Sequence, residues 1–289
     1  MEDFTFTGLG TKWFVRVDGK QLDNRTQKAV VEYVQDFENR FSRFLPLSEV
    51  NAFRLSPAGD YILSDEFSRL LARADRLRVL TNGSYDPAVA SILEDVGYGA
   101  QHGLAPLEKT EGSRVSQWSL VGNKLTIDGP MAFDLGGIGK GYCIDRVAEI
   151  VKHFGYKYYL VDGGGDMADS TKADGSAWRV AVEYPGKPDT AASVVNLSHQ
   201  GLAVSDSFRR RFGKWHHLVD AQEKKPIEKV IGCAAVARDA WAADCMTSGL
   251  FFAPLENYGA LAEEFSAAYL VFQNDGTAIV SPDWQGELL

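Results

Sequence analysis

The chain has 289 residues, a formal net charge of −9, a hydrophobic fraction of 45% and a charged fraction of 24%. These fractions are ordinary for a soluble globular protein, and the length allows one large domain or two smaller ones with a substantial core. The negative charge argues against nonspecific binding of nucleic acid or of an anionic membrane surface. An anionic ligand would therefore need local groups that stabilise negative charge, either backbone N–H groups or a metal ion.

The cysteines and the N-terminus bear on the cellular compartment. Cys143, Cys233 and Cys245 are odd in number and lack C-x-x-C spacing, so we predict small core residues in a reducing compartment. The first ten residues do not resemble a signal peptide, and no apolar run is long enough to span a bilayer. We expect a cytoplasmic protein with no transmembrane segment, or else a mature form from which an export signal has been removed.

In the N-terminal half, helical and strand-like patterns are separated by polar turns. Alternation of polar and apolar residues predicts a strand over residues 12–17. Apolar residues at helical spacing predict helices over residues 26–41 and 65–80, the second capped by Ser64 or Asp65. Residues 111–133 are strand-like.

The C-terminal half alternates short strands with helices. Strands are predicted over residues 158–161, 178–184, 194–197, 201–205, 215–219, 230–237, 268–272 and 277–280. Helices are predicted over residues 239–252 and 255–265. Many hairpin-like strand pairs and few clean βαβ units indicate an α+β fold with a largely antiparallel sheet core and flanking helices. We expect a single elaborated domain over residues 1–289.

Two glycine clusters are candidates for ligand contact. The segment 134–141, with the sequence DLGGIGKG, is followed at once by an amphipathic helical pattern. A glycine-rich loop that opens a helix points N–H groups at one place, where the helix dipole also favours a phosphate. The same glycines also suit a plain tight turn. The second cluster, DGGGD at 162–166, follows a predicted strand.

Two common nucleotide-binding motifs are not found in the sequence. There is no G-x-x-x-x-G-K-[ST] segment, and neither glycine cluster has G-x-G-x-x-G spacing with an acidic residue about twenty positions further on. The sequence therefore gives no support to a P-loop NTPase or to a dinucleotide-dependent dehydrogenase of the common kind.

Asp244 and Ser248 lie four residues apart in a predicted helix and so share one face. A carboxylate, a hydroxyl and a backbone carbonyl from a nearby glycine loop would form an all-oxygen set suited to Mg²⁺. The alternative is a solvent-facing aspartate beside a serine that bonds back to its own helix.

His217 stands next to His216 in a predicted strand, so at most one of the two points at any given site. A neutral imidazole near a hydroxyl acts as a general base, and a hydrogen-bonded structural histidine is the alternative. The basic run at residues 209–211 is likewise open to two interpretations, a solvated edge or a phosphate clamp.

Several different short motifs follow one another along the chain. They are Leu9-Gly10-Thr11, Phe41-Ser42-Arg43-Phe44, SEVNAF at 48–53, Gly83-Ser84-Tyr85-Asp86-Pro87, the 134–141 loop with Tyr142, VDGGGD at 161–166, His217-Leu218-Val219-Asp220 and Ala243-Asp244. This order and spacing resemble the ApbE-like FAD:protein FMN transferases, and the resemblance covers most of the chain.

The resemblance implies a concrete activity. Members of that family bind FAD with Mg²⁺, cleave its pyrophosphate, place FMN on a Thr or Ser hydroxyl of an acceptor protein and release AMP. By position, Asp244, Ser248 and the backbone carbonyl of Gly137 would bind the metal, so Asp244 would be catalytic, with His217 as the base. The implied FAD contacts are Leu9, Phe44, Ser84, Tyr85, Asp86, Asp134, Lys140 and Val219.

Some positions depart from the family pattern. Ser248 replaces the usual Thr and keeps its hydroxyl, the segment 205–208 reads SDSF where S-G-D-Y is familiar, and Ala221 replaces a Pro. Leu9 stands where Met is frequent, and there is no lipid-attachment cysteine near the start. Two other functions stay open: an FAD pyrophosphatase that gives free FMN and AMP, and a non-catalytic FAD-binding protein.

Overall fold

The structure of the protein is a computed structural model, and it describes residues 3–95, 97–98, 117–209, 211–212 and 215–289. The first part of the predicted strand over 111–133, and Arg210 of the arginine run, lie outside these residues. In the described part of the chain, no helix combines the length and the apolar character that a membrane crossing requires.

The described part of the chain contains sixteen strands, most of them short. In chain order they are Phe4–Gly8 (β1), Thr11–Val17 (β2), Gly59–Ile62 (β3), Trp118–Val121 (β4), Lys124–Ile127 (β5), Tyr159–Gly163 (β6), Asp166–Asp169 (β7), Trp178–Tyr184 (β8), Lys187–Leu197 (β9), Gly201–Asp206 (β10), Arg211–Phe212 (β11), Trp215–His216 (β12), Val230–Ala237 (β13), Ala268–Gln273 (β14), Ala278–Val280 (β15) and Glu287–Leu288 (β16). The predicted strands near residues 12–17, 178–184, 230–237 and 268–280 are confirmed.

Three of the described α-helices begin directly after a capping side chain. In chain order the α-helices are Asn24–Phe41 (α1), Asp65–Leu80 (α2), Ala90–Asp95 (α3), Gly139–His153 (α4), Ala240–Phe252 (α5) and Tyr258–Phe265 (α6). Asp23 caps α1 by accepting the N–H of Thr26 at 2.7 Å, and Ser64 caps α2 by accepting the N–H of Phe67 at 3.3 Å. Of the two residues predicted as the cap of α2, Ser64 and Asp65, the structure shows Ser64.

An antiparallel sheet of eight strands forms the centre of the fold. Its strand order is β1-β2-β6-β7-β10-β13-β14-β15, and each neighbouring pair runs antiparallel. Smaller sheets add β16-β9-β8, β3-β5-β4 and the β11–β12 pair. This architecture confirms the α+β class with a largely antiparallel core. The boundaries of the single domain over residues 1–289 stay a prediction.

Adjacent side chains on the central strands point to opposite faces of the main sheet, and both faces are buried. Ala203 and Ala235 belong to the large core beneath the helices, whereas Leu202 and Ala234 belong to a second core beneath the β8–β9 hairpin. The strands β10 and β13 are therefore apolar on both faces. The result is a three-layer arrangement of helices, main sheet and small sheet, with all three cysteines buried and free as predicted.

Four predicted elements are wrong in extent, one of them the strand over 194–197, which begins at Lys187 in the structure. The strand over 215–219 ends at His216. The backbone N–H of Leu218 donates to His216 Nδ1 and so is not part of a strand ladder. Residues 128–133 are not a strand, since Pro130 lacks an N–H and the N–H of Met131 bonds to Phe53 instead of a ladder partner. The helix over 255–265 divides into a 3₁₀ turn and α6.

Candidate functional site

One cleft gathers most of the side chains that the sequence singles out. It lies between the start of α4, the middle of α5, the turn after α2 and the segment after β12. The predicted site residues that line it are Phe44, Tyr85, Asp86, Asp134, Gly137, Lys140, His217, Val219, Asp244 and Ser248. Leu9 and Ser84 lie outside this lining.

Asp244 is held on the buried helix α5 by the start of α4. Its carboxylate accepts a hydrogen bond from the backbone N–H of Gly141 at 2.8 Å, and the residue is only 4% exposed. A Cβ at position 141 would lie 2.3 Å from the carbonyl oxygen of Ala240, so only glycine allows this approach. The glycine loop thus directs an N–H at a protein carboxylate, and the alternative of a solvent-facing Asp244 is wrong.

Ser248 lies one turn further along α5 and faces the same loop. Its hydroxyl donates a hydrogen bond to the backbone carbonyl of Gly137 at 2.5 Å, rather than bonding back to its own helix. A Cβ on Gly137 would stand 2.9 Å from Ser248 Oγ, so this glycine too permits a close approach. The three groups predicted as metal ligands, which are Asp244, Ser248 and the Gly137 carbonyl, are therefore contributed by α5 and by the loop facing it.

These groups form an all-oxygen donor set of a carboxylate, a hydroxyl and a carbonyl, which suits a hard cation such as Mg²⁺. Among the described residues, no group of three His, Cys, Asp or Glu side chains could hold a metal ion. The other coordination positions would fall to waters and ligand oxygens, as is usual when Mg²⁺ binds together with phosphates. The residues present therefore fit Mg²⁺.

The described lining of the cleft carries an excess of negative charge. Its charged side chains are the carboxylates Asp86, Asp134, Asp206 and Asp244 and the cations Lys140 and Arg209. A diphosphate entering this cleft would meet more anionic than cationic side chains, and repulsion between like charges would oppose binding. A divalent cation accompanying the ligand would remove that repulsion.

Asp134 is braced from behind by a buried arginine. Arg43 Nε lies 2.7 Å from the Asp134 carboxylate, and Arg43 also contacts Glu94 at 3.4 Å, with both the Arg43 and Glu94 side chains 2% exposed. A second Asp134 oxygen accepts the N–H of Gly136 at 2.7 Å. The guanidinium carbon of Arg43 also lies 4.4 Å from the centroid of the Phe44 ring. Because buried charges are stable only when paired, this network fixes Asp134 and Phe44 together.

Lys140 is paired with a carboxylate from the second glycine cluster. Its ammonium group contacts Asp166, whose side chain is fully buried and also accepts the N–H of Val204 at 3.0 Å. Asp166 follows the turn at Gly164 and Gly165, both of which have positive φ, as a tight hairpin requires. The two glycine clusters are therefore joined by one ion pair at the edge of the cleft.

The two adjacent histidines have different surroundings. His216 Nε2 lies 2.8 Å from the carbonyl oxygen of Ile227, and its Nδ1 accepts the N–H of Leu218 at 3.2 Å. These partners assign a neutral tautomer with the proton on Nε2, and burial lowers the pKa of His216. His217 instead lines the cleft, 6.4 Å from Tyr98 between ring centroids. Of these two side chains, His217 is the one that lines the cleft.

The turn after α2 contributes Tyr85 and Asp86 to the cleft. Asp86 accepts hydrogen bonds from the backbone N–H of Ala88 at 2.8 Å and from the indole N–H of Trp118 at 3.0 Å. Burial raises the pKa of the Asp86 carboxyl despite these donors. The Tyr85 ring packs edge-on against Phe252, with centroids 5.7 Å apart.

Leu9 and Ser84 have positions that do not bring them into the lining. Leu9 lies in the turn between β1 and β2 with a φ of 50°, and it packs against the main core. The Ser84 hydroxyl donates to the carboxylate of Asp220. Ser84 thus joins the turn after α2 to the segment that carries Val219. The contacts of Leu9 and Ser84 with FAD stay predictions.

Arg43, Asp166 and Arg209 were not among the predicted site residues. Arg209 lines the cleft and pairs with Glu183 at 2.5 Å and Asp206 at 3.1 Å, so the described part of the basic run contributes one cation here. Arg43 and Asp166 stand inside the motifs but act through neighbouring side chains. These residues could have been predicted from the opposite charges in separate motifs, because charged side chains buried near a cleft need partners of opposite sign.

Fold and cleft together define an α+β protein whose donor groups suit a divalent cation beside an anionic ligand. The family model described as the ApbE family matches residues 9–271, a span that contains the whole cleft. The chain belongs to the ApbE family.

Curated relatives with similar sequences carry one name. The chain is 26% identical over 295 residues to an FAD:protein FMN transferase of Haemophilus influenzae, a match that covers 92% of this chain and 85% of the relative. It is 25% identical over 270 residues to an FAD:protein FMN transferase of Escherichia coli K12, covering 83% and 76%.

Solved structures share the fold. The flavin transferase ApbE from Vibrio cholerae superposes with a TM-score of 0.81 at 21% identity, and the match covers 97% of both chains. The ApbE protein from Thermotoga maritima superposes with a TM-score of 0.82 at 23% identity, again over 97% of both chains. At these identities, the likeness establishes the α+β architecture.

Proposed function

We propose that the protein is an Mg²⁺-dependent FAD:protein FMN transferase, which moves FMN from FAD to a Thr or Ser hydroxyl of an acceptor protein and releases AMP. Its membership of the ApbE family and the name carried by its curated relatives support this activity. The observation that carries the proposal is the meeting of Asp244, Ser248 and the Gly137 carbonyl at one edge of the cleft.

Phosphoryl transfer depends on positioning and on neutralising oxygen charge more than on covalent chemistry by the enzyme. Asp244, Ser248 and Gly137 would hold Mg²⁺, which when bound polarises the diphosphate and eases the departure of AMP. Lys140, kept in place by Asp166, would contribute a fixed positive charge beside the phosphates. Asp134, held in place by Arg43, would contact FAD from the start of the 134–141 loop.

In the transfer step, one bond to phosphorus forms, one breaks, and one proton moves to the protein. The acceptor hydroxyl oxygen forms a bond to the phosphorus of the FMN portion, and the bond from that phosphorus to the bridging oxygen breaks. AMP leaves with the bridging oxygen, and the hydroxyl proton passes to His217, which lines the cleft. Tyr98 and Phe44 stand edge to face with centroids 5.9 Å apart and give this part of the cleft an apolar wall suited to a flat ring.

The direct test is a transfer assay with FAD, Mg²⁺ and an acceptor protein that carries a Thr or Ser flavinylation segment. We expect a mass increase of one FMN on the acceptor, seen by mass spectrometry, and an equal amount of AMP. Free FMN with an unlabelled acceptor would identify a pyrophosphatase instead. FAD binding without either product would identify a non-catalytic binding protein.

Asp244→Asn tests the metal assignment in the same assay. The amide keeps an acceptor for the Gly141 N–H but removes the negative charge, so we expect the fold to persist and transfer to fall by about 10²-fold or more. A matched control is Asp189→Asn, which makes the same change at an exposed position near the start of β9, outside the cleft. Equal activity of the two variants would show that Asp244 does not bind the catalytic metal.

A further inference from the structure

Asp145 joins α4 to the start of α5 by two hydrogen bonds. Its side chain projects from α4, and its two carboxylate oxygens accept the backbone N–H groups of Ala240 and Trp241, each at 2.9 Å. These are the first two residues of α5, whose N–H groups have no partner inside their own helix. Asp145 thus stabilises the end of a neighbouring helix, and it does not belong to the described lining of the cleft.

The cap that α5 carries in its own sequence has a different effect. Asp239 directly precedes the helix and accepts the N–H of Ala242 at 2.7 Å. This bond stays intact when α5 moves as a body, because its donor and its acceptor both move with the helix. The two bonds to Asp145 break when α5 slides along α4. Of these two carboxylates, Asp145 is therefore the one that fixes the position of α5 relative to α4.

The contacts between the two helices follow a single register. Gly141 of α4 donates its N–H to Asp244 of α5. Four residues later on α4, Asp145 meets Ala240, which lies four residues earlier on α5. The helices therefore run antiparallel here, and the two sets of bonds lie about one helical turn, roughly 6 Å, apart along the axis. The tight contact between Gly141 and Ala240 limits how closely the helices approach, and the hydrogen bonds prevent sliding.

A carboxylate suits this place better than any neutral capping group. Its two oxygens accept two N–H groups at once, whereas an asparagine amide offers one acceptor and places an NH₂ donor at the other position. Burial, followed by the carboxylates of Asp239 and Glu149, raises the pKa of the Asp145 carboxyl to about 7, although its two N–H partners oppose the shift. Capping alone does not require such a group, because serine and asparagine cap helices equally well. The attachment of α5 at two points does require it.

The position of α5 decides the geometry of the proposed metal site. Asp244 and Ser248 are contributed by α5, whereas the Gly137 carbonyl belongs to the loop that leads into α4. Sliding of α5 along α4 would change the separation of the first two oxygens from the third. Mg²⁺ demands near-ideal octahedral geometry, whereas the larger Ca²⁺ tolerates variable geometry. A fixed register between α4 and α5 therefore favours Mg²⁺ over Ca²⁺.

We propose that Asp145 is a positioning residue that holds the metal-binding face of α5 in register with the 134–141 loop and so adapts the site to Mg²⁺. This inference rests on the proposed function and adds to it a residue that acts through α5. Groups that orient metal ligands without binding the metal themselves typically contribute about 10- to 100-fold to metal affinity. An effect of this size is large enough to measure.

The test is Asp145→Asn, which keeps the size of the side chain and removes one of its two acceptor oxygens. The affinity for ADP, which carries a diphosphate without the flavin, is measured by calorimetry in saturating Mg²⁺ and again in saturating Ca²⁺. We expect the affinity in Mg²⁺ to fall by about tenfold and the affinity in Ca²⁺ to fall much less. The melting temperature without ligand shows that the variant is folded during the titrations.

Asp169→Asn is the matched control. Asp169 is also a carboxylate that accepts two backbone N–H groups, those of His199 at 3.2 Å and Gln200 at 2.9 Å, but neither donor belongs to α5. Its ratio of the two affinities should equal that of the unmodified protein. Asp145→Glu is a second variant, which keeps the charge and displaces the carboxylate by one methylene. It should change the ratio in the same direction, and it decides the question if Asp145→Asn does not fold.

Two results would overturn the inference. Equal losses of ADP affinity in Mg²⁺ and in Ca²⁺, or no loss in either, would give Asp145 a structural role alone. A change of the ratio in Asp169→Asn as large as that in Asp145→Asn would show that α5 is not the cause. Failure of the proposed function gives a different result: an unmodified protein that transfers no FMN, while Asp145→Asn still loses the preference for Mg²⁺, would refute the transferase and leave the positioning role standing.

Discussion

Buried polar side chains, each with an assigned neighbour, give the cleft its chemistry at the scale of single residues. Asp244 and Ser248 are 4% and 5% exposed, and both point from α5 toward the loop at residues 134–141. A group buried in this way has a fixed orientation, because leaving its partner would cost the full desolvation penalty. The chain therefore presents these oxygens to a ligand in one arrangement.

His217→Ala tests the predicted general base. We expect the rate of FMN transfer to fall by about 10²–10⁴-fold while FAD affinity changes little, because proton removal is needed in the transition state and not for binding. The measurement is single-turnover transfer at saturating FAD and acceptor.

His216→Gln is the comparison for that experiment. The His216 ring bonds to Ile227 and Leu218, so this substitution should lower the melting temperature while leaving transfer by the folded protein close to normal. A near-normal rate in His217→Ala would return His217 to a structural role.

The sequence predicted these residues only in part, and the reason is local. A spacing of four places Asp244 and Ser248 on one helix face, but it does not show whether that face is buried. In an amphipathic helix, the polar side shows which face is exposed. Helix α5 is buried on nearly all sides, with Ala240 and Leu250 fully buried among others. Its sequence therefore does not show which face lies against the core and which faces the cleft. The family resemblance supplied what the periodicity could not.

At the scale of elements, the site depends on the close approach of α4 and α5. Gly141 is the contact point, since a Cβ there would lie 2.3 Å from the Ala240 carbonyl oxygen and 2.7 Å from Asp244 Cβ. Neither contact can be relieved by turning a side chain, because one partner is backbone and the other is a Cβ. The two helices must separate to admit even one methyl group.

Gly141→Ala should therefore destabilise the protein by about 2 kcal/mol or more, as overpacking of a well-packed site does, and should abolish Mg²⁺-dependent FAD binding. Chemical denaturation and calorimetry measure the two effects. Gly259→Ala is the control, because Gly259 lies in α6 with open space around its Cα. Alanine there should stabilise the protein by about 0.5–1 kcal/mol. Equal behaviour of the two variants would contradict the assigned contact.

Elements with strong local signals were predicted well, and those without were not. Helices α1 and α2 have capping side chains and one apolar face, and their predicted ranges closely match the structure. Strand β7 was missed because Asp166 and Asp169, at its two ends, are buried carboxylates, which no strand pattern anticipates. They are stable there because Lys140 and three backbone N–H groups satisfy them.

At the scale of the whole molecule, the main sheet separates two apolar cores. The order β6-β7-β10-β13 brings strands from distant parts of the chain side by side, and this order was not predicted. Sequence patterns report which faces are apolar, but they do not report which strands pair when the connections are long. The α+β class and the antiparallel character were nevertheless predictable, because hairpin-like pairs recur along the chain.

Asp169 gives the whole fold a pH-dependent stability. Burial raises the pKa of its carboxyl to about 6 from the model-compound value of 3.8, although two backbone N–H groups donate to it. The folded state thus keeps the proton to a higher pH than the unfolded state. Stability falls as pH rises from about 4 through 6, and the loss is complete above that range.

Asp169→Asn tests this by replacing the carboxyl with a neutral group of the same shape. Relative to the unmodified protein, the variant should gain on the order of 2 kcal/mol of unfolding free energy between pH 4 and pH 7. Urea titrations of both proteins across that range measure the difference. Parallel pH profiles would show that Asp169 titrates at its ordinary value in the folded state.

The central claim is that Asp244, Ser248 and the Gly137 carbonyl hold a divalent cation against the diphosphate of FAD. It is tested most directly by a crystal structure of the protein with FAD and Mn²⁺, in which the anomalous signal of manganese locates the ion. We expect the ion to contact all three protein oxygens and at least one diphosphate oxygen. An ion bound elsewhere, or a diphosphate out of reach of Asp244 and Gly137, would contradict the proposed mechanism.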